Sequence, residues 1–299
     1  MRFAVGFAVI AAQSHTIATG HGRAVAATFF APPSEGKGSV LLVCAMGVNQ
    51  DYYRALAVWL AAKGYLAATF DFFGTGRSLH GRLQDTNVNI LEWAQADCSA
   101  MIEALCSRLP DKPLFWIGHS LGAQILPFTP NWAKVSKAMF IASGSGYWRE
   151  HPPRLRRRAR FLWFVVAPVL VGLLGYFPGR RLRMIGDLPA GVMLQWRRWC
   201  LNPQYAVGAE GPWAQERYAA VTTQLASLSF TDDEFMSARN TESLESFYVH
   251  ADKSIKRIAP EQIGVARIGH FGFFREQFRD SLWEPLLLPE LTLRPTAGK

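Results

Sequence analysis

No two of the four cysteines, Cys44, Cys98, Cys106 and Cys200, stand in a C-x-x-C pair. That spacing marks most structural zinc sites, so no metal is expected here. Cys98 and Cys106 lie in one helical pattern, about 12 Å apart along a helix axis, which is too far for a bridge. All four read as reduced thiols, which fits a cytoplasmic protein. A dinucleotide fingerprint is missing too. Gly74-Thr75-Gly76 has neither the third glycine nor the helix start such a loop needs, so no cofactor is expected. Charged residues make up only 18 % against 49 % hydrophobic, with no repeat or low-complexity tract. This excludes a disordered or solenoid chain and leaves 299 residues able to build one large core.

Acid is scarce in one region above all. Residues 151–200 hold ten arginines and a single acid, Asp187, so this segment carries the whole net charge of +9. A nucleic-acid binder would spread its basic surface, so nucleic acid is not expected as a partner. A confined basic block points to anionic lipid, an anionic substrate or a protein partner, or else to a solvated helix face. At the other end of the chain, Met1–Ala12 has one basic residue before an apolar run. Ile10-Ala11-Ala12 is a poor signal-peptide cleavage site, so the segment reads as a leading strand, with export as the alternative.

What is present is an alternation of strand and helix patterns. Gly20-His21-Gly22-Arg23 is a turn signal between Thr16–Ala18 and Ala24–Phe30. Ser39–Ala45 is a continuous apolar run, as a parallel strand buried on both faces requires. Tyr53, Leu56, Ala57, Leu60 and Ala61 repeat at helical spacing up to Gly64. Strands are expected at Tyr65–Phe70, Lys112–Ile117 and Lys137–Ala142, with a long helix over Ile90–Arg108 and another after Ser120. The alternation stops near Gly146. It resumes with strands at Thr222–Phe230 and Gly264–Ile268, a helix near Thr241–Tyr248 between them, and a last helix containing Trp283. The spacing predicts a mostly parallel twisted sheet with helices on both faces. Residues 1–146 and 221–299 form the core, and 147–220 are inserted over it.

Gly118-His119-Ser120-Leu121-Gly122 matches G-x-S-x-G between a strand and a helical run. The serine must stand on a sharp, strained turn, and side chains two residues away would collide, so glycine is wanted there. A serine hydroxyl needs a base. His270 is the last histidine, in the glycine-flanked run Ile268–Phe274, and is the candidate. Asp232-Asp233-Glu234 follows the strand ending at Phe230, and one carboxylate there would steady the imidazole. Asp233 is preferred, with Asp232 as the alternative. The N–H of Leu121 is the first expected oxyanion donor. The loop Ala45–Gln50 offers the second, Val48 by preference and Met46 otherwise, because Gly47 would let backbone approach substrate.

In these motifs the chain resembles the α/β-hydrolase superfamily over residues 14–145 and 220–290. Asp71-x-x-Gly74-x-Gly76-x-Ser78, the Gly118–Gly122 elbow and Gly269-His270 all match in order. It is most similar to bacterial hydrolases near the serine aminopeptidase S33 and monoacylglycerol lipase group. Asp187–Gly191, Gln195–Trp199 and His270–Phe274 carry the same likeness. Phe73 departs from the arginine frequent in that turn, and Met46 from a histidine before glycine. The resemblance implies an α/β-hydrolase fold with a helical cap and hydrolysis of a small-molecule carboxylic ester through an acyl-enzyme. A thioesterase or acyltransferase would use the same triad.

Phe161–Phe177 is an uncharged run that would span roughly 26 Å as a helix, against the ~30 Å of a bilayer core. A single crossing would set Ser120 and Asp233 on opposite sides of the membrane, so the run is expected in a cap, broken or kinked at Pro168. Its apolar face would cover an acyl-binding pocket or enter an anionic membrane surface beside its flanking arginines. A membrane-associated interaction protein built on that basic, apolar cap is the reading from another class.

Overall fold

The computed structural model describes residues 10–20 and 22–293. Most of the N-terminal apolar run and His21 of the first turn lie outside the described residues. Ala12–Gly20 (β1) and Arg23–Phe30 (β2) form the expected antiparallel hairpin, β1 being longer than its pattern suggested. Gly38–Val43 (β3), Tyr65–Phe70 (β4), Leu114–His119 (β5) and Lys137–Ile141 (β6) are buried at every position, as their apolar runs require of central strands. Tyr176–Phe177 (β7) and Leu188–Pro189 (β8) pair with each other away from the main sheet. Gln224–Phe230 (β9) and Lys253–Ile258 (β10) complete the eight-stranded sheet, whose order is β1-β2-β4-β3-β5-β6-β9-β10. β2 meets β4 antiparallel, and every pairing from β4 across to β10 is parallel. This is the α/β-hydrolase architecture.

Two elements differ from expectation. Gly264–Ile268 is not a strand; the last strand is β10, ahead of it. β10 reads Lys-Ser-Ile-Lys-Arg-Ile because it is an edge strand, paired only with β9 and half exposed. The helix after Ser120 is a single turn, Leu121–Gln124, followed by a 3-10 turn at Leu126–Phe128. Pro127 has no N–H with which to continue the ladder. The Ile90–Arg108 helix forms as expected, but widens into a π-turn at Trp93–Cys98.

Between Ile141 and Gln224 no described residue joins the main sheet. This stretch is helical at Pro153–Phe161, Leu162–Val166 (a π-turn), Ala167–Leu174, Ala190–Leu201, Tyr205–Glu210 and Pro212–Ala220. Pro168 lies inside a continuous helical run over 153–174, just after the π-turn Leu162–Val166, and the run neither ends nor breaks there. No helix among the described residues is long and apolar enough to cross a membrane. The four cysteines are free thiols, and burial holds those of Cys44, Cys98 and Cys200 far above their usual pKa, in the inert form. A buried ion pair closes the sheet at the far end of β6. Lys137 Nζ lies 2.7 Å from Glu290, whose other oxygen is 3.4 Å from Lys256 of β10.

Candidate active site

β5 delivers Ser120 onto a turn that L-residues rarely adopt, with φ +50° and ψ −109°. Such a conformation persists only when its surroundings hold it. The Ser120 N–H donates to Ile141 O at 3.1 Å, and Ser143 Oγ donates to Ser120 O at 2.8 Å. Trp116 Nε1 of β5 donates to Gly122 O at 2.9 Å from beneath. The flanking glycines are steric necessities. A Cβ on Gly118 would stand 2.5 Å from Ala123 N, and one on Gly122 would stand 2.2 Å from Val43 O. The second clash is with the end of the neighbouring strand β3, so the elbow's sharpness is set by sheet packing as well as by the turn itself.

His270 opens the short helical turn Gly269–Gly272, and its Nδ1 lies 2.8 Å from Asp233 Oδ2. Asp233 Oδ1 accepts from the N–H groups of Phe235 at 2.7 Å and Met236 at 2.8 Å. Both oxygens are thus committed, and the carboxylate cannot turn away from the imidazole. Asp232 goes elsewhere: its Oδ2 accepts from the N–H of Ile268 at 2.8 Å and of Gly269 at 3.0 Å. Glu234 Oε2 accepts from the His270 N–H at 3.1 Å. Three consecutive acids after β9 therefore seize three consecutive residues, 268–270, and only Asp233 reaches the ring.

Ser120 and His270 both line one cavity of about 750 Å³. Its other walls come from the loop after β3 (Ala45, Met46), from Leu121, and from the inserted segment, including Leu162, Trp163, Val166 and Trp196. The lining is largely apolar. Its charged members are Arg157, Arg158 and Arg183, with no Asp or Glu. A more open groove of about 600 Å³ at Asn89, Gly191 and Arg198 has no nucleophile and base on its walls.

The loop after β3 corrects one expectation. Val48 N–H is not free: it donates to Ala45 O at 3.1 Å, closing a four-residue turn with Gly47 at φ +67°. Val48 does not line the cavity, whereas Met46 does. Gly47 serves the inserted segment rather than a substrate. Its carbonyl accepts from Gly186 N–H at 2.9 Å, and a Cβ there would stand 3.0 Å from both Gly186 N and Ile185 Cβ.

Two buried neighbours of the site, His119 and Tyr53, have no signal of their own in the sequence. His119, the unspecified residue of the elbow, is fully buried. Its Nδ1 lies 2.8 Å from Tyr53 Oη and its Nε2 3.1 Å from the His270 carbonyl. Tyr53 Oη also accepts from Ala45 N–H at 2.8 Å, so its own proton goes to His119 and the Nε2–H of His119 faces His270 O. Burial first, then the nearby His270, holds the His119 pKa well below the usual value, so the ring stays neutral. No signal in one sequence separates this residue from a filler. Among the described residues there is no cluster of His, Cys, Asp or Glu able to hold a metal ion.

A strained serine on a strand-to-helix turn, a carboxylate-anchored histidine on a later loop and this sheet order define the α/β-hydrolase class. Residues 34–259 match the profile of the family described as serine aminopeptidase, S33, and the chain belongs to that family of hydrolases. Solved structures with the same fold include a soluble variant of monoglyceride lipase from Saccharomyces cerevisiae in complex with a substrate analog. It is 18% identical, covers 86% of this chain and 88% of its own, and superposes with a TM-score of 0.62. A putative lipase from Acinetobacter baumannii AYE is 17% identical over 95% and 93% of the two chains, with a TM-score of 0.59. A Pyrococcus furiosus esterase is 13% identical over 94% and 92%, with a TM-score of 0.57. Compared with curated protein sequences, the chain matches none.

Proposed function

We propose that this chain is a serine esterase that cleaves small carboxylic esters bearing an apolar acyl or alkyl group. Ser120 attacks the ester carbonyl while its proton passes to Nε2 of His270, and Asp233 holds Nδ1 and stabilises the imidazolium. The carbonyl oxygen becomes an oxyanion, met by the N–H groups of Leu121 and Met46. Collapse of this intermediate breaks the bond to the alkoxy oxygen, which takes the proton from His270 and leaves as an alcohol. An acyl group remains on Ser120. Water then repeats the attack with the same proton relay, releasing the acid and restoring the serine.

One observation carries this reading: the strained Ser120 and His270, whose ring Asp233 holds, line the same cavity. The cavity also selects among bonds. An aminopeptidase must bind a free ammonium, and that calls for a carboxylate near the scissile bond. This lining offers three arginines and no acid, so an ester with an apolar chain fits better than a peptide amino terminus. The inserted segment is then a cap, covering the acyl chain with Leu162, Trp163 and Val166.

The test is fluorophosphonate labelling with mapping of the adduct, followed by turnover of p-nitrophenyl esters of rising chain length. Labelling at Ser120, and loss of turnover in Ser120→Ala, are expected. Undiminished hydrolysis by Ser120→Ala would reject the assignment.

A further inference from the structure

The helical segment over 153–174 is apolar on two opposite sides. Ala159, Trp163, Ala167 and Val171 recur every four residues and are buried at 6 % exposure or less. Phe161, Val165, Val169 and Leu173 recur at the same interval, offset by two residues or about 200°. These four are 60 %, 45 %, 50 % and 76 % exposed. A helix apolar all round belongs in a core or against lipid. Here one stripe meets the protein and the other meets water. The outer stripe is no isolated case. Of the fourteen exposed large apolar residues among the described ones, eight lie between Phe161 and Met184.

Charge frames this patch. Five exposed arginines, Arg154, Arg156, Arg157, Arg158 and Arg160, precede it, and Arg180, Arg181 and Arg183 follow it. None of the eight has an ion-pair partner among the described residues, and residues 151–186 contain no acid. Several basic residues elsewhere are paired, as in Arg23–Glu92 and Arg77–Asp51. The patch is also continuous with the cavity, since Phe161, Leu182, Arg183 and Met184 are both exposed and part of its lining.

The geometry points to an anionic lipid bilayer as the partner of this face. The outer stripe enters the interface, the arginines at both ends meet headgroups, and the cavity mouth opens onto the lipid. A second copy of the chain is the poorer occupant, because two such faces would bring sixteen unpaired arginines together. This inference does not rest on the hydrolase reading.

The experiment is co-sedimentation of the full chain with sucrose-loaded vesicles at low salt. One set is phosphatidylcholine alone, the other equal parts phosphatidylcholine and phosphatidylglycerol. Binding at least tenfold stronger to the anionic vesicles is expected. Val169→Asp and Leu173→Asp each weaken it by tenfold or more, and Arg157→Ala by about fivefold. Lys112→Glu, at the opposite end of β5 from Ser120, leaves it unchanged. Ser120→Ala binds like the native chain, so a failure of the esterase reading and a failure of this one are told apart. Equal or negligible binding to both vesicle types overturns the inference. So does wild-type-like binding by both Asp variants once circular dichroism shows them folded. A stable dimer that loses its association in Val169→Asp, and does not bind vesicles, assigns the face to a second copy and overturns it equally.

Discussion

Tyr53 and His119 share a hydrogen bond of 2.8 Å at the heart of the site, although neither contacts the outside. The tyrosine hydroxyl grips the loop after β3 through Ala45 N–H, and the imidazole grips the loop of His270 through its carbonyl. The two loops that must face each other across Ser120 are thus tied through one neutral ring. Tyr53→Phe removes both hydrogen bonds of the hydroxyl and leaves Ala45 N–H and His119 Nδ1 buried without partners. Stability should fall by about 1–3 kcal/mol. If the tie positions the loops, kcat should drop roughly ten- to a hundredfold with little change in KM. Loss of stability at unchanged kcat would make Tyr53 a packing residue only.

The three acids after β9 make a sharper test. Asp233→Asn keeps the shape but removes the carboxylate that fixes the His270 tautomer, and kcat should fall by about 10⁴-fold. Asp232→Asn retains an oxygen able to accept from Ile268 and Gly269, so its loss should be far smaller. Steady-state kinetics on one soluble ester decides. Equal losses in the two variants would undo the assignment of Asp233 as the steadying group.

These residues also mark where sequence reading stopped. The elbow and the buried parallel strands were legible because each obeys a local rule: glycine where a Cβ clashes, apolar runs where both faces are covered. Asp232 and Asp233 could be ranked but not separated, since adjacent carboxylates differ only in which way the chain turns after Phe230. Val48 and Met46 cannot be told apart from sequence, since the turn hydrogen bond that occupies the Val48 N–H is invisible without coordinates. β10 was missed because an edge strand needs no apolar run. Tyr53 was visible only as a step in a helical stripe, and His119 only as the free position of a motif.

The far end of the sheet offers a prediction about pH. Burial alone would raise the Glu290 carboxyl, but the hydrogen bond and charge of Lys137, with Lys256, outweigh it and leave the group below its usual pKa. A depressed carboxylate adds stability above the unfolded-state pKa of ~4.3, and that gain fades as pH falls through the folded value. Glu290→Gln strands Lys137 in the interior, a loss of about 3–5 kcal/mol. The gap in melting temperature between Glu290→Gln and the native chain should therefore be widest near pH 7 and shrink in acid. A gap that stays constant from neutral to acid pH would show that the pair's charge is not what stabilises this corner.

The turn Ala45–Val48 permits a cleaner probe of the second oxyanion donor than side-chain truncation does. Val48 N–H closes the turn on Ala45 O, and Gly47 has positive φ, so Met46 stands at the second position of a type II turn. Proline is favoured at that position, because its fixed φ already suits the turn. Met46→Pro therefore deletes one N–H while leaving the backbone path intact. If that N–H meets the oxyanion, kcat should fall by about 10²–10³-fold. Met46→Ala, which keeps the N–H and loses the same cavity-lining side chain, should retain most of kcat. Val48→Pro removes the bond that closes the turn and should cost stability as well as rate. Native-like turnover by a folded Met46→Pro chain would move the second donor away from this loop.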